Sequence, residues 1–519
     1  MRSKVKTDML SLTALSVRTI AFCYAPDGAR YALPAEVQWT LSGAGMVRQG
    51  QTRTALTVVD DLRPDTDYTL MVQGKVLSFQ TPACAGLVNI ADHGAVADGP
   101  DTAEHAAENA RAIIRAIGAA PKGGTVLIPE GTWISAPVAL RSDLTLWLKG
   151  TLKAPADRTG WPILPARNHA GKMLGSWEGL PADCFAAPLY AVGTNCLTIA
   201  GPGALEGGGD RGDWWTWPKE TRQGAHRPRG LHLVNCQQTQ LIGFAVRNAP
   251  SWTVHPQGCQ DLTIAGLHIS APDDSPNTDG CNPEMCQNVR LTGVRFSVGD
   301  DCIAIKAGKR GDAGEEDHLT ATRDITISHC LMEAGHGGVV LGSEMSGDIT
   351  DITVAACEMR GTDRGLRLKT RRGRGGRIDR ITFRDVAMTD VETAFSANAF
   401  YYCDHDGHDD WVQTRDPAPV THLTPQIGRI EVSDVSITGI SHALGAFIGL
   451  PEQPIGPIHL TRITVQDLNP DAIPTAPVMA DHIRPLRHAG IAHEYAQIIA
   501  DTDIPIEEGG LTLLSERTD

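Results

Sequence analysis

The pattern of apolar and polar positions separates a first region, residues 1–82, from the rest of the chain. From about residue 10, apolar and polar residues alternate in short runs divided by turn sequences such as APDG, LSGAG and LRPDTD. Such alternation is typical of strands that bury one face, so it predicts a small β-sandwich. Leu10, Leu12, Leu15 and Val17 belong to this pattern. Another kind of β-meander is the alternative.

A different pattern begins at residue 83. One amphipathic helix is predicted near Thr102 to Ile117, with Asp101 or Thr102 as its N-cap. After this helix, a short strand of the form apolar-x-apolar recurs, as in LTIAG, VRLTG and ITVAA. The second apolar residues of these strands are Ile199, Leu241, Ile264, Leu291, Ile327, Val354, Phe383, Val432 and Val465.

The spacing of these strands predicts the fold. The shorter intervals, 23 to 29 residues, match one coil of a parallel β-helix, and the longer intervals indicate coils with inserted loops. An exposed first coil would be an open edge, and the predicted helix is placed to cover it. We therefore expect an all-β chain in which residues 83–519 form one right-handed parallel β-helix with a capped N-terminal end. A β-sandwich or a propeller is the alternative.

The overall charge limits the classes of partner. The formal net charge is -15, so long-range repulsion opposes binding to nucleic acid or to an anionic membrane. No apolar run reaches 18 residues, the length that a membrane-spanning helix needs. An acidic substrate remains compatible with this charge if the binding site is locally basic.

The cysteines and the N-terminal residues bear on the cellular compartment. No CxxC pair occurs among the twelve cysteines, which argues against a zinc site. Asp8 and Arg18 interrupt the apolar run that a signal peptide would need. We expect a cytoplasmic protein, with a periplasmic or secreted one as the alternative. Five cysteines recur in one local context and are expected to be buried, reduced thiols stacked along the repeat: Cys236, Cys259, Cys286, Cys330 and Cys357.

Three carboxylates are candidates for catalysis. Asp279 precedes the pair Asp300 and Asp301 by about one coil, and stacked strands lie ~4.8 Å apart. The adjacent pair can share one cleft where the strand bends, which Gly299 permits. Carboxylates held together repel, and one of them can relieve the repulsion by keeping a proton. A neutral acid beside ionised carboxylates is suited to cleaving a glycosidic bond.

Basic residues follow these aspartates along the chain. His336 lies between glycines that let a substrate approach closely, and Arg367 and Lys369 share one face of a strand. Residues 364–377 contain seven basic residues and no acidic one, within a chain of net charge -15. This reversal of charge favours a sugar that carries a carboxylate, which Arg367 can bind through two hydrogen bonds.

These motifs resemble the four signatures of glycoside hydrolase family 28, the polygalacturonases. They are Asn277-Thr-Asp, Gly299-Asp-Asp, Gly335-His-Gly and Arg367-Leu-Lys, in the order of that family, and the resemblance extends from about Asn89 to beyond Leu450. The resemblance implies a pectin-lyase-like β-helix that hydrolyses α-1,4-galacturonosyl linkages with inversion. It also implies an acidic pectic poly- or oligosaccharide as substrate, and neither a metal nor a cofactor.

The roles of the motif residues are carried over from the resemblance. Asp300 would be the general acid, and Asp279 with Asp301 would hold and activate the attacking water. His336 would support the hydrogen bonds of the acid. The expected substrate-binding residues are Asn277, Lys306, Arg367, Lys369 and Tyr402.

Other polar and aromatic clusters have two interpretations each. Tyr401, Tyr402 and Asp404 either line sugar subsites or pack within their loop. The acidic and histidine-rich run 403–410 lacks the spacing of a recognised metal site. The third cluster consists of Trp214, Trp215 and Trp217. These tryptophans are either a stacking platform for sugar rings or a hydrophobic latch.

The inserted loops favour exo action. Residues 307–318 and the long interval between Phe383 and Val432 can wall off one end of a groove and leave a pocket for a chain end. The segment from Leu62 to Tyr68 resembles the tyrosine-corner region of fibronectin type III domains, as in bacterial exo-acting members of the family. A hydrolase of rhamnogalacturonan or of another pectic structure and a noncatalytic carbohydrate-binding β-helix are the alternatives. The sequence does not give an oligomeric state.

Overall fold

The N-terminal region consists of two antiparallel sheets. The computed structural model describes residues 9–501 and 504–513. The three-stranded sheet contains Leu10–Leu15, Ile20–Tyr24 and Leu56–Val59. The four-stranded sheet contains Ala32–Gly43, Met46–Thr54, Asp67–Val72 and Lys75–Gln80. The two sheets fit the predicted small β-sandwich.

One tyrosine in this region makes the hydrogen bond that a tyrosine-corner sequence suggests. The hydroxyl of Tyr68 accepts a hydrogen bond of 2.9 Å from the backbone N–H of Arg63, a few residues upstream, as in a tyrosine corner. Tyr68 is buried and stacks on Phe79. The likeness to fibronectin type III domains and the domain boundary at residue 82 stay predictions.

One long helix covers the first coil of the second region. It spans Ala103–Ala119, and the side chain of its N-cap, Thr102, accepts a hydrogen bond from the backbone N–H of His105. Its buried face, which includes Ile113 and Ile117, joins the core of the coils. A helix therefore lies where the sequence predicts the cap. In the described residues, no helix is both long and apolar enough to cross a membrane. The shorter helices are Ile90–His93, Trp214–Thr216 and Asp410–Gln413.

Most of the chain winds into a parallel β-helix, as predicted. Its largest sheet has 21 strands, which pair almost entirely in parallel from one coil to the next. These strands are Leu87–Asn89, Gly124–Ile128, Thr132–Ile134, Leu144–Leu148, Thr151–Lys153, Leu197–Ala200, Ala204–Glu206, Gln237–Ile242, Ala245–Arg247, Gln260–Ala265, His268–Ser270, Gln287–Thr292, Arg295–Ser297, Thr322–Ser328, Leu331–Met332, Ile349–Arg360, Arg377–Thr389, Gln426–Ile427, Ile430–Thr438, Ile455–Val465 and Ala496–Asp501.

A second ladder of parallel strands forms another side of the coils. We call this side the site face. Its first four strands are Val138–Leu140, Leu189–Val192, Leu231–Val234 and Val254–Gln257. Bridges through Cys281 connect them to seven more: Ile303–Ile305, Val339–Leu341, Arg364–Lys369, Thr393–Asn398, Ala443–Ile448, Ala489–Glu494 and Ile506–Glu508. Two small antiparallel pairs lie in loops: Ile163–Leu164 with Cys184–Phe185, and Ser176–Trp177 with Leu180–Pro181.

The register of the largest sheet confirms the repeat except in its last predicted member. Ile199 pairs with Leu241, and the ladder continues through the predicted residues to Val432. Val432 then pairs with Leu460, not with Val465. The strand Ile455–Val465 is long enough to contain two apolar triplets, and the sequence repeat selected the wrong one of them.

The cysteines of the repeat are buried and free, as expected, but they lie in two ladders. Cys236, Cys259 and Cys286 each precede one of three paired glutamines. Cys330 and Cys357 precede the pair Leu331 and Glu358 at another position of the coil. The shared sequence context reflects the tight bend before a strand, which occurs more than once in each coil. All twelve cysteines are free thiols.

The sandwich packs directly on the β-helix. Leu56 and Val58 lie over a row of glycines, and a Cβ on Gly266 or Gly293 would come within 2.7 Å of Val58 Cγ2 or 2.3 Å of Leu56 Cβ, respectively. The side chain of Gln240 accepts a hydrogen bond from the backbone N–H of Leu15 and donates one to its carbonyl. The absence of side chains along this row lets the two regions share one apolar cluster.

We predict that Gly293→Ala loosens this contact. Gly293 and Gly193 both have positive φ, 65° and 63°, but a Cβ on Gly193 would meet nothing within 4 Å. Gly193→Ala should therefore cost only the backbone strain, about 1 kcal/mol. Gly293→Ala should cost about 1–3 kcal/mol more, because Leu56 must move. Urea unfolding measures both variants, and equal losses of stability would contradict the prediction.

Candidate active site

Two of the three candidate carboxylates lie at the same position of adjacent coils. Cys281 pairs with Ile303 on the site face, so the residues two places earlier, Asp279 and Asp301, are in register. The backbone N–H of Gly280 donates to the carbonyl of Asp301 at 3.0 Å. Of the adjacent pair, Asp301 and not Asp300 is therefore the residue in register with Asp279.

The bend at Gly299 brings the third carboxylate to the same place. A Cβ on Gly299 would lie 2.5 Å from the carbonyl oxygen of Ser275, so only glycine fits there without a shift. One carboxylate oxygen each from Asp279, Asp300 and Asp301 lies within 4.8 Å of the others. Inverting glycosidases generally separate acid and base by ~6.5–9.5 Å, so this cluster is tighter than usual.

Asp301 is the carboxylate that stays ionised. It is 1% exposed. Lys369 Nζ donates to its Oδ2 at 2.8 Å, and Arg367 Nη1 lies 3.4 Å from its Oδ1. Burial alone would raise the pKa of Asp301, but the charges of Lys369 and Arg367 outweigh it and lower the pKa to about 2. Two of the predicted substrate-binding cations therefore also hold a carboxylate of the cluster.

Asp279, in contrast to Asp301, has a raised pKa. It is 3% exposed, and burial raises its pKa to about 7, with the charge of Asp300 acting in the same direction. Lys306 Nζ, 4.0 Å from Asp279 Oδ2, opposes this rise only in part. Asn282 Nδ2 donates to the same oxygen at 2.7 Å. The fold thus separates the pKa values of Asp279 and Asp301 widely.

His336 pairs with the most exposed carboxylate of the cluster. The side chain of Asp300 is 24% exposed, and His336 Nδ1 lies 3.5 Å from its Oδ1. The hydrogen bond to Asp300 raises the pKa of His336 to about 9, against the effect of burial. His336 is therefore an imidazolium near neutral pH. The glycines around it permit close packing, since a Cβ on Gly335 would lie 2.5 Å from the carbonyl oxygen of Asp300.

A cavity of about 270 Å³ opens over this cluster. The sequence-predicted residues that line it are Asn277, Asp279, Asp300, Asp301, Lys306, His336, Arg367 and Lys369. Asn277 Oδ1 accepts a hydrogen bond from Arg227 Nη2 at 2.5 Å. Lys306 Nζ donates to Glu344 Oε2 at 2.9 Å. Lys306 also lies 4.5 Å from the centre of the Trp252 ring, which completes its burial.

Tyr402, a predicted substrate-binding residue, does not line this cavity. Its ring stacks on His408 at 4.6 Å, whereas Tyr401 lines the cavity and lies 5.3 Å from Lys369 Nζ. Of the two tyrosines, only Tyr401 faces the cluster. We therefore assign Tyr401 to the site in place of Tyr402.

Several residues that line the cavity were given no role in the sequence analysis. Trp252 and Glu344 lie in NAPSWTVHP and GHGGVVLGSEMSG, so the resemblance contained a signal for both. The others belong to loops without a repeat pattern: Trp177, Glu178, Lys219, Lys309, Arg374 and Met479. Their positions follow only from the folded loops.

A buried polar layer supports the cavity wall. The guanidinium of Arg229 lies 4.8 Å from the ring centre of Trp177 and 4.4 Å from that of Trp252. Arg229 Nε lies 3.2 Å from Nδ1 of His255, whose Nε2 is 3.0 Å from Glu284 Oε2. These interactions hold the two aromatic rings in place beneath a polar surface.

The two remaining clusters from the sequence have structural roles. Trp214 and Trp217 are buried and pack edge-on against Phe185, which matches the hydrophobic latch. In the run 403–410, the carboxylates of Asp404 and Asp406 are bound by basic side chains. Arg371 binds both oxygens of Asp406, at 2.5 and 2.7 Å. These contacts are ion pairs between this run and the segment that contains Arg371.

We predict that Asp279→Asn stabilises the fold at neutral pH. An unfolded aspartate loses its proton near pH 4, whereas folded Asp279 keeps its proton up to about pH 7. This difference costs stability progressively as the pH rises from about 4 to 7. Asparagine removes the cost, so the variant should gain on the order of 2 kcal/mol at pH 8 and much less at pH 4.

Urea unfolding of wild type and variant at both pH values measures this gain. The exposed Asp274→Asn is the matched control, and its effect should be small at either pH. A loss of stability in Asp279→Asn at pH 8 would contradict the prediction.

Comparisons with known proteins agree with the geometry. A probable polygalacturonase from Vitis vinifera is 28% identical over 397 residues, which cover 75% of this chain and 77% of that protein. The family 28 exopolygalacturonase of Yersinia enterocolitica has a TM-score of 0.62 at 20% identity and covers 96% of this chain and 97% of its own. The hyperthermoactive exopolygalacturonase of Thermotoga maritima has a TM-score of 0.62 at 22% identity, with 82% and 92% covered. These structural likenesses support the fold.

The family profile covers the candidate site itself. The profile described as Glycosyl hydrolases family 28 matches residues 121–409, which is more than half of the chain. This segment contains all four motifs, from Asn277 to Lys369. The chain therefore belongs to glycoside hydrolase family 28 and is a glycoside hydrolase.

Proposed function

We propose that this enzyme is an exo-polygalacturonase that removes galacturonate units from the ends of polygalacturonate or oligogalacturonides. The observation that carries the proposal is one cavity in which three carboxylates lie together with several cations. Family membership supports a pectic substrate, and the names of the two structural neighbours support exo action. A noncatalytic sugar-binding protein does not agree with membership in a hydrolase family.

The reaction is a direct displacement by water. Asp300 gives a proton to the glycosidic oxygen, and the sugar leaves with that oxygen. Asp279 and Asp301 hold the water on the opposite side and accept its proton, so the configuration at the anomeric carbon is inverted. Asp300 is suited to the role of acid because its side chain is the most open of the three.

A proton must move from Asp279 to Asp300 before the glycosidic bond breaks. In the free enzyme the raised pKa of Asp279 favours a proton on this base, and the imidazolium of His336 lies 3.5 Å from Asp300. A productive complex needs the reverse, with the acid protonated and the base ionised. Since oxygens of the two groups lie within 4.8 Å, one bound water is enough to carry the proton from Asp279 to Asp300.

Arg367 is the best placed group to bind the carboxylate of the substrate. It lines the cavity, and in the described part of the chain its hydrogen bonds go to Asp301 Oδ1 and to the sulfur of Met479. An arginine has five N–H donors, so donors remain for a bidentate pair with a uronate. Lys369 adds positive charge at the same place, 2.8 Å from Asp301.

The walls of the cavity favour a chain end over a continuous chain. The backbone N–H of Lys309 donates to the carbonyl of Gly179 at 3.0 Å, and Lys309 Nζ donates to Asp404 at 2.8 Å. Lys219 Nζ donates to the carbonyl of Cys403 at 3.2 Å. These contacts connect the two predicted insertions with the loop around residue 179 and support a closed end of the cleft.

A time course on polygalacturonate and on defined oligogalacturonides tests the proposal. We expect monomer or dimer as the earliest products, while the viscosity of the polymer falls little. Asp300→Asn should lower kcat by at least about a hundredfold, because the leaving oxygen loses its proton donor. An early ladder of intermediate oligomers would contradict exo action, and turnover confined to rhamnogalacturonan would contradict the substrate.

A second prediction concerns recognition of the carboxylate. Arg367→Gln should raise KM for trigalacturonate about ten- to a hundredfold, since a charged hydrogen-bonded pair contributes ~1.5–3 kcal/mol. The variant should also lose much of the preference for the free acid over its methyl ester. Arg384→Gln, at an exposed position of the next strand, is the control. An unchanged preference in Arg367→Gln would show that another group binds the carboxylate.

A further inference from the structure

One buried carboxylate holds the closed end of the cleft together. Asp404 Oδ1 accepts a hydrogen bond from Lys309 Nζ at 2.8 Å, and its Oδ2 accepts one from Arg371 Nη1 at 3.1 Å and another from Arg374 Nη2. Burial opposes ionisation of Asp404, but the charges of Arg374, Lys309 and Arg371 prevail and lower its pKa to about 2. Three cations from two distant loops therefore meet on one carboxylate.

This cluster forms a partition between two cavities. Lys309, Arg374 and Asp404 line both the catalytic cavity and a second cavity of about 390 Å³. The second cavity also contains Arg371 and Trp411, whose side chain is 47% exposed. The guanidinium of Arg371 lies 4.9 Å from the centre of the Trp411 ring.

The second cavity has the chemistry of a subsite for a uronic acid. An exposed indole face is a platform for a sugar ring. Arginine and lysine side chains are the usual partners of a carboxylate. In a groove that continued past the catalytic cavity, the next galacturonate unit would bring its carboxylate to cations such as Lys309, Arg371 and Arg374. In this chain these cations already bind the carboxylate of Asp404.

We propose that Asp404 determines the length specificity of the cleft by occupying the anion site of a further galacturonate unit. Its carboxylate takes the place of the substrate carboxylate, and its ion pairs close the passage into the second cavity. This inference rests on the proposed exo-polygalacturonase function and adds the residue that enforces it. Asp404 is a positioning residue, because it acts through the cations around it and not on the reacting atoms.

The Asp404→Ala variant tests the inference on the full-length enzyme. Removal of the carboxylate frees Lys309 and Arg374, leaves Arg371 paired with Asp406, and joins the two cavities. We expect KM for long oligogalacturonides to fall about tenfold relative to KM for trigalacturonate, as one additional charged contact would give. The products should shift to longer oligomers, and the viscosity of polygalacturonate should fall earlier than with wild type.

The matched control is Asp406→Asn. Asp406 binds Arg371 from the second cavity but does not line the catalytic one, and Asp404 keeps Lys309 and Arg374 in this variant. We expect wild-type products and an unchanged ratio of KM values. A shift equal to that of Asp404→Ala would overturn the inference, because any disturbance of the loop would then suffice.

A measurement of thermal stability, which needs no catalytic turnover, tests the inference even if Asp404→Ala weakens the fold. Lys309 and Arg374 lose their carboxylate partner in Asp404→Ala, which destabilises the protein, and a small carboxylate can replace the missing side chain. Formate should therefore raise the Tm of Asp404→Ala by several degrees, relative to chloride at equal ionic strength, and leave wild type and Asp406→Asn unchanged. Lys309→Ala, which opens the partition from the other loop and leaves Asp404 with two arginines, should shift the products in the same direction.

The outcomes separate the inference from the function on which it rests. Wild type that releases only monomer or dimer, together with variants of unchanged product length and no response to formate, would overturn the role of Asp404 alone. Wild type that itself produces a ladder would overturn exo action, and the inference with it. Longer products from Asp404→Ala and from Lys309→Ala, with rescue by formate, would support both.

Discussion

The register of the coils is the constraint on which the rest of the structure depends. Backbone hydrogen bonds between parallel strands repeat each position of the coil at ~4.8 Å, so like positions are stacked whether or not their side chains attract. Inside the coils this stacking produces an uninterrupted apolar core. On the site face the same stacking places Asp279 and Asp301 on adjacent coils. A repulsive contact is therefore imposed by the fold and must be balanced by other residues.

The positive charge that offsets this repulsion is distributed unequally, and the unequal distribution separates the pKa values of the carboxylates. Lys369 and Arg367 lie two coils beyond Asp301 and keep it ionised, while Asp279 receives only the more distant charge of Lys306. Two carboxyl groups of similar intrinsic acidity thus differ widely in pKa within one cavity. Such separation is what acid–base catalysis at a single pH requires. Lys306 is itself held by Glu344, so the electrostatics of the cluster extend into the wall.

The periodic parts of the molecule were predictable because one pattern is repeated on many coils. The ladder from Ile199 to Val432 follows from that repeat, whereas the motif residues of the cluster were identified by their resemblance to the family. The prediction went wrong where one coil offers two equivalent choices. Leu460 and Val465 lie in one long strand, and only the pairing with Val432 distinguishes them. The choice between Tyr401 and Tyr402 was open for a similar reason, because both follow the regular strand Thr393–Asn398.

The loops could not be predicted in this way, and the difference has a functional meaning. Lys309 and Asp404 are 95 residues apart in sequence, and no period relates them. Their contact depends on the length and path of two insertions that the stacking of coils does not determine. A family built on this fold can therefore change its loops, and with them the length of substrate that enters, without moving Asp279 or Asp301. The hydrogen bonds of the coils fix the positions of the proposed catalytic groups, and in our proposal ion pairs between insertions set the limits of the cleft.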